Sequence, residues 1–308
     1  EQIERPTLKV GSYTRYRSIL DKHLIPAFGH LQMRKLRVEH LDRFYAKKQA
    51  DGLAPNTIHL LHSVLHQALE TAVKRHYIGR NVCDDAALPR VTRREIRPLS
   101  KEQAERLLHA ARGHRLETLI ALAITTGMRR GELLALTWDD IDMREGNVHV
   151  RRTVSRYGAG HGYIVSEPKT AKGRRNIVIP AFVLDLLRQH RAHQQELKTQ
   201  AGATWQEHGL VFASNIGTFF HPNRLIEQFD RLLSEAGLPH MRFHDLRHSA
   251  ATLLLTMGVH PKVVQELLGH SDISMTLDTY SHVLPTLQQD AMAKLDQAFG
   301  TKLPSKDP

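Results

Sequence analysis

The sequence is poor in cysteine, in long apolar runs and in acidic residues relative to basic ones, and each shortage excludes something. One cysteine, Cys83, among 308 residues rules out an intrachain disulfide framework and any multi-cysteine zinc site. It fits a reducing cytoplasm, and Cys83 reads as a packing residue rather than a nucleophile. No stretch approaches the ~20 consecutive apolar residues of a membrane span. The start, EQIERPTLKV, has no apolar signal-peptide core and no Met, which leaves room for residues upstream. There are no internal repeats and no low-complexity segment. Asp and Glu number 32 against 43 Lys and Arg, a formal net charge of +11. That balance favours a polyanionic partner, nucleic acid before an acidic membrane surface, although charge alone is shared by many proteins that bind nothing acidic.

Two domains suit the length. The first, residues 1–80, reads as a small all-helical bundle. Ser12 or Thr14 is placed to cap a helix with Tyr13, Tyr16, Ile19, Leu20 and Leu24 on its apolar side, ended by Pro26 and Gly29. A second helix is expected over 38–50, with Leu41, Phe44 and Tyr45 inward and Gly52 as its stop. Pro55 and Asn56 open a third, in which Ile58, Leu61, Leu65, Leu69, Ala72 and Val73 recur at three- and four-residue steps towards Gly79. Residues 81–98 read as a basic linker. Pro89 and Pro98 break regular structure, and Arg90, Arg93, Arg94 and Arg97 surround Glu95. Such arginines suit a solvated connector or a strap across a DNA backbone.

The second domain, 99–284, mixes helices with a small sheet, so the fold class is mostly α with a minor β component. Ser100 and Gln103 form a capping box, with Leu99 and Ala104 as its hydrophobic staple. Helices are expected over 101–112 and 115–126. Val148 and Val150, Tyr163 and Val165, and Ile177 and Ile179 alternate as in strands. The last two strands flank PKTAKG (168–173) and are expected to form a hairpin. Helix resumes near 181, with a short strand at Leu210–Phe212. After Pro285, Leu287, Ala291, Leu295 and Ala298 mark an amphipathic C-terminal helix and tail over 285–308, suited to packing on its own core or on a neighbouring protomer.

Four clusters carry candidate chemistry. In TGMRRGELLALTWDDID (126–142), Gly127 ends one helix and Arg129 starts the next, one turn before Glu132. An anion could sit near Arg129 at that helix start, and the plainer reading is a surface Arg–Glu pair. Lys169 lies in the expected hairpin turn, where an ammonium could reach a DNA phosphate, with Lys172 as a competitor. In HDLRHSAATLLL (244–255), His244 and Arg247 share a helix face. His244 and His248 also have a two-histidine zinc spacing, but Asp245 stands where a zincin needs Glu, and no third ligand follows. In LGHSDISMTLDTYSHV (268–283), His270 precedes Tyr280 by ten residues. A lone tyrosine is usually packing.

Together these residues make a phosphoryl-transfer set. Attack of a hydroxyl on a phosphodiester builds negative charge on the non-bridging oxygens, which Arg129 and Arg247 could hold. Tyrosine, with a pKa of about 10, ionises more readily than serine, and more so beside two arginines. Lys169 could protonate the departing oxygen, His244 could take the tyrosine proton, and His270 could donate to the phosphate. No divalent metal and no other cofactor is implied, unlike a two-metal nuclease.

With TG-x-R-x-x-E at Thr126, Gly127, Arg129 and Glu132, Lys-Thr at Lys169 and Thr170, H-x-x-R at His244 and Arg247, LGH at Leu268, Gly269 and His270, and Tyr280 in TYSH, the sequence resembles the tyrosine recombinase, or phage integrase, family. SYTRYRSILDKHLIPAFGHLQMRKL and APNTIHLLHSVLHQALETAV extend the likeness over the N-terminal part. The resemblance implies a helical core-binding domain and an α+β catalytic domain closing as a clamp on double-stranded DNA attachment sites. It implies a 3′-phosphotyrosyl intermediate on Tyr280, strand exchange through a Holliday junction in a homo-tetramer, and accessory DNA-bending or directionality factors. It places the protein in the cytoplasm, at the nucleoid when DNA-bound. The His270–Tyr280 gap is one residue longer than in chromosome-dimer-resolving members and is similar to that of phage and conjugative-element integrases. Many of those carry an upstream arm-binding domain that this sequence does not match. A type IB topoisomerase uses a similar residue set, and a DNA-binding protein that has lost catalysis or a histidine-based metallohydrolase are more distant alternatives.

Overall fold

The computed structural model describes residues 10–92, 97–156, 162–168, 171–270 and 272, with six further positions between 292 and 299. It divides into two compact units, Glu1–Glu95 and Ile96–Pro308.

The first unit is helical: α1 (Val10–Ile19), a π-helical turn (Leu20–Leu24), α2 (Ile25–Phe28), α3 (Val38–Ala50) and α4 (Pro55–Lys74). Pro26 does not end the first helix. It sits inside α2, directly after the π turn, whose wider hydrogen-bond spacing accommodates a residue that lacks an N–H. Gly29 closes the run by donating to Ile25 O at 2.8 Å. Ser12 and Thr14 lie within α1, and Thr14 Oγ1 donates back to Val10 O, so neither is a cap. The second helix is as expected, with Leu41, Phe44 and Tyr45 buried. The third stops at Lys74, short of Gly79, because His76 takes the left-handed conformation (φ 59°) and the Tyr77 N–H turns back to Ala72 O. Ile58, Leu61, Leu65 and Leu69 of α4 fill the core against Leu41, Phe44 and Tyr45.

The stretch after 81, expected as a connector, is fastened to this unit as far as Pro89. Asn81 Nδ2 donates to His66 O, Ala87 N to Asp42 Oδ1, and His59 Nε2 to Pro89 O. Cys83 is buried here as a packing residue, and burial pushes its thiol up to about 12.

The second unit contains α5 (Lys101–Ala110), α6 (Glu117–Thr126), α7 (Arg130–Leu134), β1 (Ile141–Asp142), β2 (Asn147–Val150), β3 (Thr153–Arg156), β4 (Tyr163–Ser166), β5 (Arg175–Val178), α8 (Ala181–Ala201), α9 (Pro222–Glu235), α10 (Asp245–Thr256) and α11 (Pro261–Leu268). The capping box is formed reciprocally: Ser100 Oγ accepts from Gln103 N, and Ser100 N donates to Gln103 Oε1. Helix α6 is apolar nearly all round and forms the centre of the core, with eight of its ten residues buried. Val148, Ile177, Val183, Leu187 and Phe229 close over it. Each such side chain contributes about 1.5–3 kcal/mol by leaving water.

The expected hairpin across 168–173 is not formed. β4 pairs with β3, a strand the alternation had not revealed, while β5 pairs with β2 in the order β1-β2-β5. β4 and β5 therefore lie in different sheets, and the chain makes an inter-sheet crossing between Ser166 and Arg175. Val148 faces Ile177 across β2 and β5, which puts both apolar side chains on the core face. Leu210–Phe212 is buried but makes only a single bridge, Leu210 with Thr137. Helices α10 and α11 enclose a small satellite core of Ala251, Leu255, Val264 and Leu268. The described positions between 292 and 299 are helical, and Met292, Leu295 and Phe299 among them are exposed. No described helix is long and apolar enough to cross a membrane.

Candidate active site

Two left-handed glycine turns meet at the site. Gly127 (φ 61°) ends α6 and Gly269 (φ 68°) ends α11. A Cβ on Gly127 would lie 2.4 Å from Leu268 Cδ2, and one on Gly269 would lie 2.8 Å from the Lys172 carbonyl oxygen. Both positions need glycine twice over, for the backbone angle and for the close approach. This contact brings the Arg129 turn, the end of the inter-sheet crossing and the His270 turn together.

Arg247, in the first turn of α10, bridges the two turns. It is 4% exposed and donates through Nη1 to Gly127 O (2.7 Å) and through Nη2 to Leu268 O (2.8 Å). His270 follows Gly269 and is held by Gln265. The His270 N–H donates to Gln265 O at 3.1 Å, and the buried Gln265 Nε2 donates to His270 O at 3.2 Å.

Arg129 sits at the cap position of α7. Its Nη1 donates to Glu132 Oε1 at 2.8 Å, and its backbone N–H donates to Glu132 Oε2 at 2.9 Å. The pair is not a surface pair, since the Glu132 side chain is 2% exposed against 41% for Arg129. Nor does α7 offer an open helix start to an anion: the helix has five residues, and Glu132 occupies the Arg129 N–H. A second arginine holds the same carboxylate. Arg175 of β5 donates through Nη2 to Glu132 Oε2 (2.9 Å) and through Nη1 to Oε1 (3.3 Å). Burial alone would raise the Glu132 carboxyl. The charge and hydrogen bonds of Arg175, then the hydrogen bonds of Arg129, outweigh it and leave the group below its ordinary value.

His244 occupies the position just before α10, with its ring edge-on to that of His248 at 5.7 Å. Asp245 is engaged elsewhere, gripped through both oxygens by Arg242. The His244 imidazole is pushed down to about 4, first by burial and then by the charges of His248 and Arg247, with Arg129 contributing. His270 is also pushed down to about 4, by burial first, then by Arg247 and Arg129. Arg129, Arg247, His244 and His270 thus share one electrostatic environment, in which both imidazoles are neutral near pH 7.

Lys169 and Tyr280 lie outside the described residues, as do Arg93 and Arg94. Lys172 is exposed. Arg90 and Arg97 are exposed in the first and second unit, respectively. The sequence reading missed Arg175, Gln265 and Arg242. Arg175 had a signal: two residues from Ile177 in an alternating strand, it falls on the inward face, where an unpaired arginine would be costly.

The family model for the phage integrase family matches residues 97–286, and that for the phage integrase N-terminal SAM-like domain matches residues 1–49. A tyrosine recombinase XerC-like protein of Caldanaerobacter subterraneus is 33% identical over 275 residues, covering 84% of this chain and 70% of that protein. Among solved structures, the Tn1549 transposon integrase in complex with transposon right end DNA superposes with a TM-score of 0.79 at 23% identity, covering 95% of this chain and 96% of that one. The lambda integrase tetramer bound to a Holliday junction has a TM-score of 0.62 at 19% identity, covering 88% and 72%.

Proposed function

The chain belongs to the phage integrase family of site-specific DNA recombinases, and from that premise we propose that it cuts and rejoins double-stranded DNA attachment sites with Tyr280 as nucleophile. The Tyr280 oxygen attacks the phosphorus. A tyrosyl–phosphorus bond forms, the bond to the 5′ oxygen breaks, and the products are a 3′-phosphotyrosyl link and a free 5′-hydroxyl. The 5′-hydroxyl freed on a partner strand then attacks the phosphotyrosyl phosphorus, so a phosphodiester forms, the tyrosyl–phosphorus bond breaks, and exchange passes through a Holliday junction.

Roles follow from chemistry. Arg129 and Arg247 neutralise the non-bridging oxygens as charge builds on them. Neutral His244 accepts the tyrosine proton, Lys169 donates a proton to the leaving 5′ oxygen, and His270 donates a hydrogen bond to the phosphate. Glu132 supports Arg129. The observation that carries this reading is Arg247 tied to Gly127 O and Leu268 O, because that bridge makes one site out of three separate sequence motifs. Residues 99–284 form the catalytic domain and 1–80 the core-type DNA-binding domain. Arg90, Arg93, Arg94 and Arg97 in the intervening linker track the DNA backbone. By analogy with the lambda integrase tetramer, four protomers act together, and the C-terminal helix, with Met292, Leu295 and Phe299 exposed, docks on a neighbour. Accessory DNA-bending or directionality factors complete the assembly.

The test is covalent trapping. The protein is incubated in EDTA with a nicked duplex carrying the sequence it enriches from a randomised DNA pool, then run on a denaturing gel. An adduct that Tyr280→Phe abolishes without loss of DNA binding supports the reading. A normal adduct yield in that variant overturns it.

A further inference from the structure

Arg175 belongs to none of the motifs that define the site, yet it joins the Arg129 turn, the end of α11 before the His270 turn, and the stretch leading into β5. Its guanidinium is 6% exposed. Nε donates to Leu267 O at 2.6 Å, beside the Leu268 carbonyl that anchors Arg247. Nη1 donates to Gly173 O at 3.2 Å, at the end of the inter-sheet crossing. Nη1 and Nη2 together grip Glu132.

Glu132 is therefore a buried carboxylate shared by two arginines of different exposure. Arg175, enclosed and bonded on several sides, serves it permanently. Arg129, 41% exposed, also reaches it. A buried carboxylate with one arginine binds that arginine hard, whereas one already neutralised by a partner competes weakly for a second. We propose that Arg175 is a positioning residue for strand cleavage: by neutralising Glu132 it leaves the Arg129 guanidinium available to the DNA phosphate, and by holding Leu267 O and Gly173 O it keeps the His270 turn in register with that phosphate. This rests on the recombinase reading above and adds to it a residue that touches neither DNA nor the reacting atoms.

Loss of Arg175 leaves Glu132 with Arg129 as its remaining cationic partner among the described residues. Arg129 then pairs fully with it and turns away from the phosphate. Removing the Glu132 charge as well releases Arg129. A purely structural arginine would behave in the opposite way, since a second lesion in one buried network adds damage.

The experiment measures single-turnover adduct formation at saturating nicked duplex, and DNA Kd separately, for wild type, Arg175→Gln, Arg175→Lys and the double variant Glu132→Gln/Arg175→Gln, with Tyr280→Phe as control. Arg175→Gln is expected to slow adduct formation by about 100-fold while Kd moves by less than about threefold. The double variant is expected to be faster than Arg175→Gln. A wild-type rate in Arg175→Gln, or a double variant slower than the single one, overturns the proposal. Should circular dichroism show Arg175→Gln unfolded, Arg175→Lys decides: it keeps a charge but cannot span Glu132 and Leu267 O together, so a rate at least about tenfold below wild type supports the proposal and a wild-type rate overturns it. If wild type itself forms no adduct, the recombinase reading fails and this inference with it. If wild type forms one and Arg175→Gln matches it, only this inference fails.

Discussion

Gly127 and Leu268, 141 residues apart in sequence, are packed so closely that a single methyl on Gly127 would lie 2.4 Å from Leu268 Cδ2. Leu268 is fully buried in the satellite core and cannot simply swing aside. Gly127→Ala is therefore expected to cost about 1–3 kcal/mol through overpacking and left-handed strain. It should also reduce strand cleavage, because Arg247 hangs from the two carbonyls this contact aligns. Urea denaturation beside the adduct assay checks both, and unchanged stability would show that the turns can separate without cost.

Arg247→Lys keeps the charge but loses the fork that spans two carbonyls 2.7 and 2.8 Å away. One flexible ammonium cannot hold Gly127 O and Leu268 O and also face a phosphate. Adduct formation is expected to fall by about 100–1,000-fold, the range for losing a fixed donor to a developing oxyanion. A fall below tenfold would place Arg247 outside the charge-stabilising set.

Acid is expected to destabilise the fold through His244 and His270. Both imidazoles are depressed to about 4 in the folded chain, by burial first, from an ordinary value of about 6.5. Below about pH 6.5 the unfolded chain takes up protons that the folded chain refuses, so stability is fully present above that pH and is lost as pH falls towards about 4. Urea midpoints measured across this window should fall with pH. His244→Gln/His270→Gln should flatten the slope, and an unchanged slope would assign it to other groups.

DNA binding should take up protons in the same window. The charges of Arg247 and Arg129 help hold the His270 imidazole low, and a phosphate placed against them offsets that field and raises the imidazole. A site that binds more protons when occupied gains affinity as pH falls from about 6.5 towards about 4. Titration calorimetry in buffers of different ionisation enthalpy measures the uptake directly. Proton release, or none, would place His270 away from the phosphate.

Affinity should also fall steeply with salt. Half a dozen phosphate contacts give a log–log slope near −5. Fluorescence anisotropy on a labelled duplex measures it, and a flat response between low and physiological salt would argue against binding through the DNA backbone.

Much of this molecule is local in origin and so is readable in the chain. Helix α3 shows its apolar face at three- and four-residue steps, α5 announces itself by Ser100 and Gln103, and the residue types around Arg129, His244, Arg247 and His270 name the reaction. Each depends on neighbours within a turn or two, where spacing alone decides geometry. Tertiary structure decided the rest, because it depends on which partner a group finds far along the chain. Alternation made β4 and β5 strands but could not say that β4 would pair with β3, since the period of two specifies a face and not a neighbour. Pro26 looked like a stop until a π turn accommodated it, and α4 ended early because His76 took an angle usually left to glycine. Glu132 looked like half of a surface pair. Only burial, and Arg175 arriving from strand β5, 43 residues away, made it the shared anchor of two arginines, because a carboxylate removed from water must find its counter-charge wherever the fold brings one.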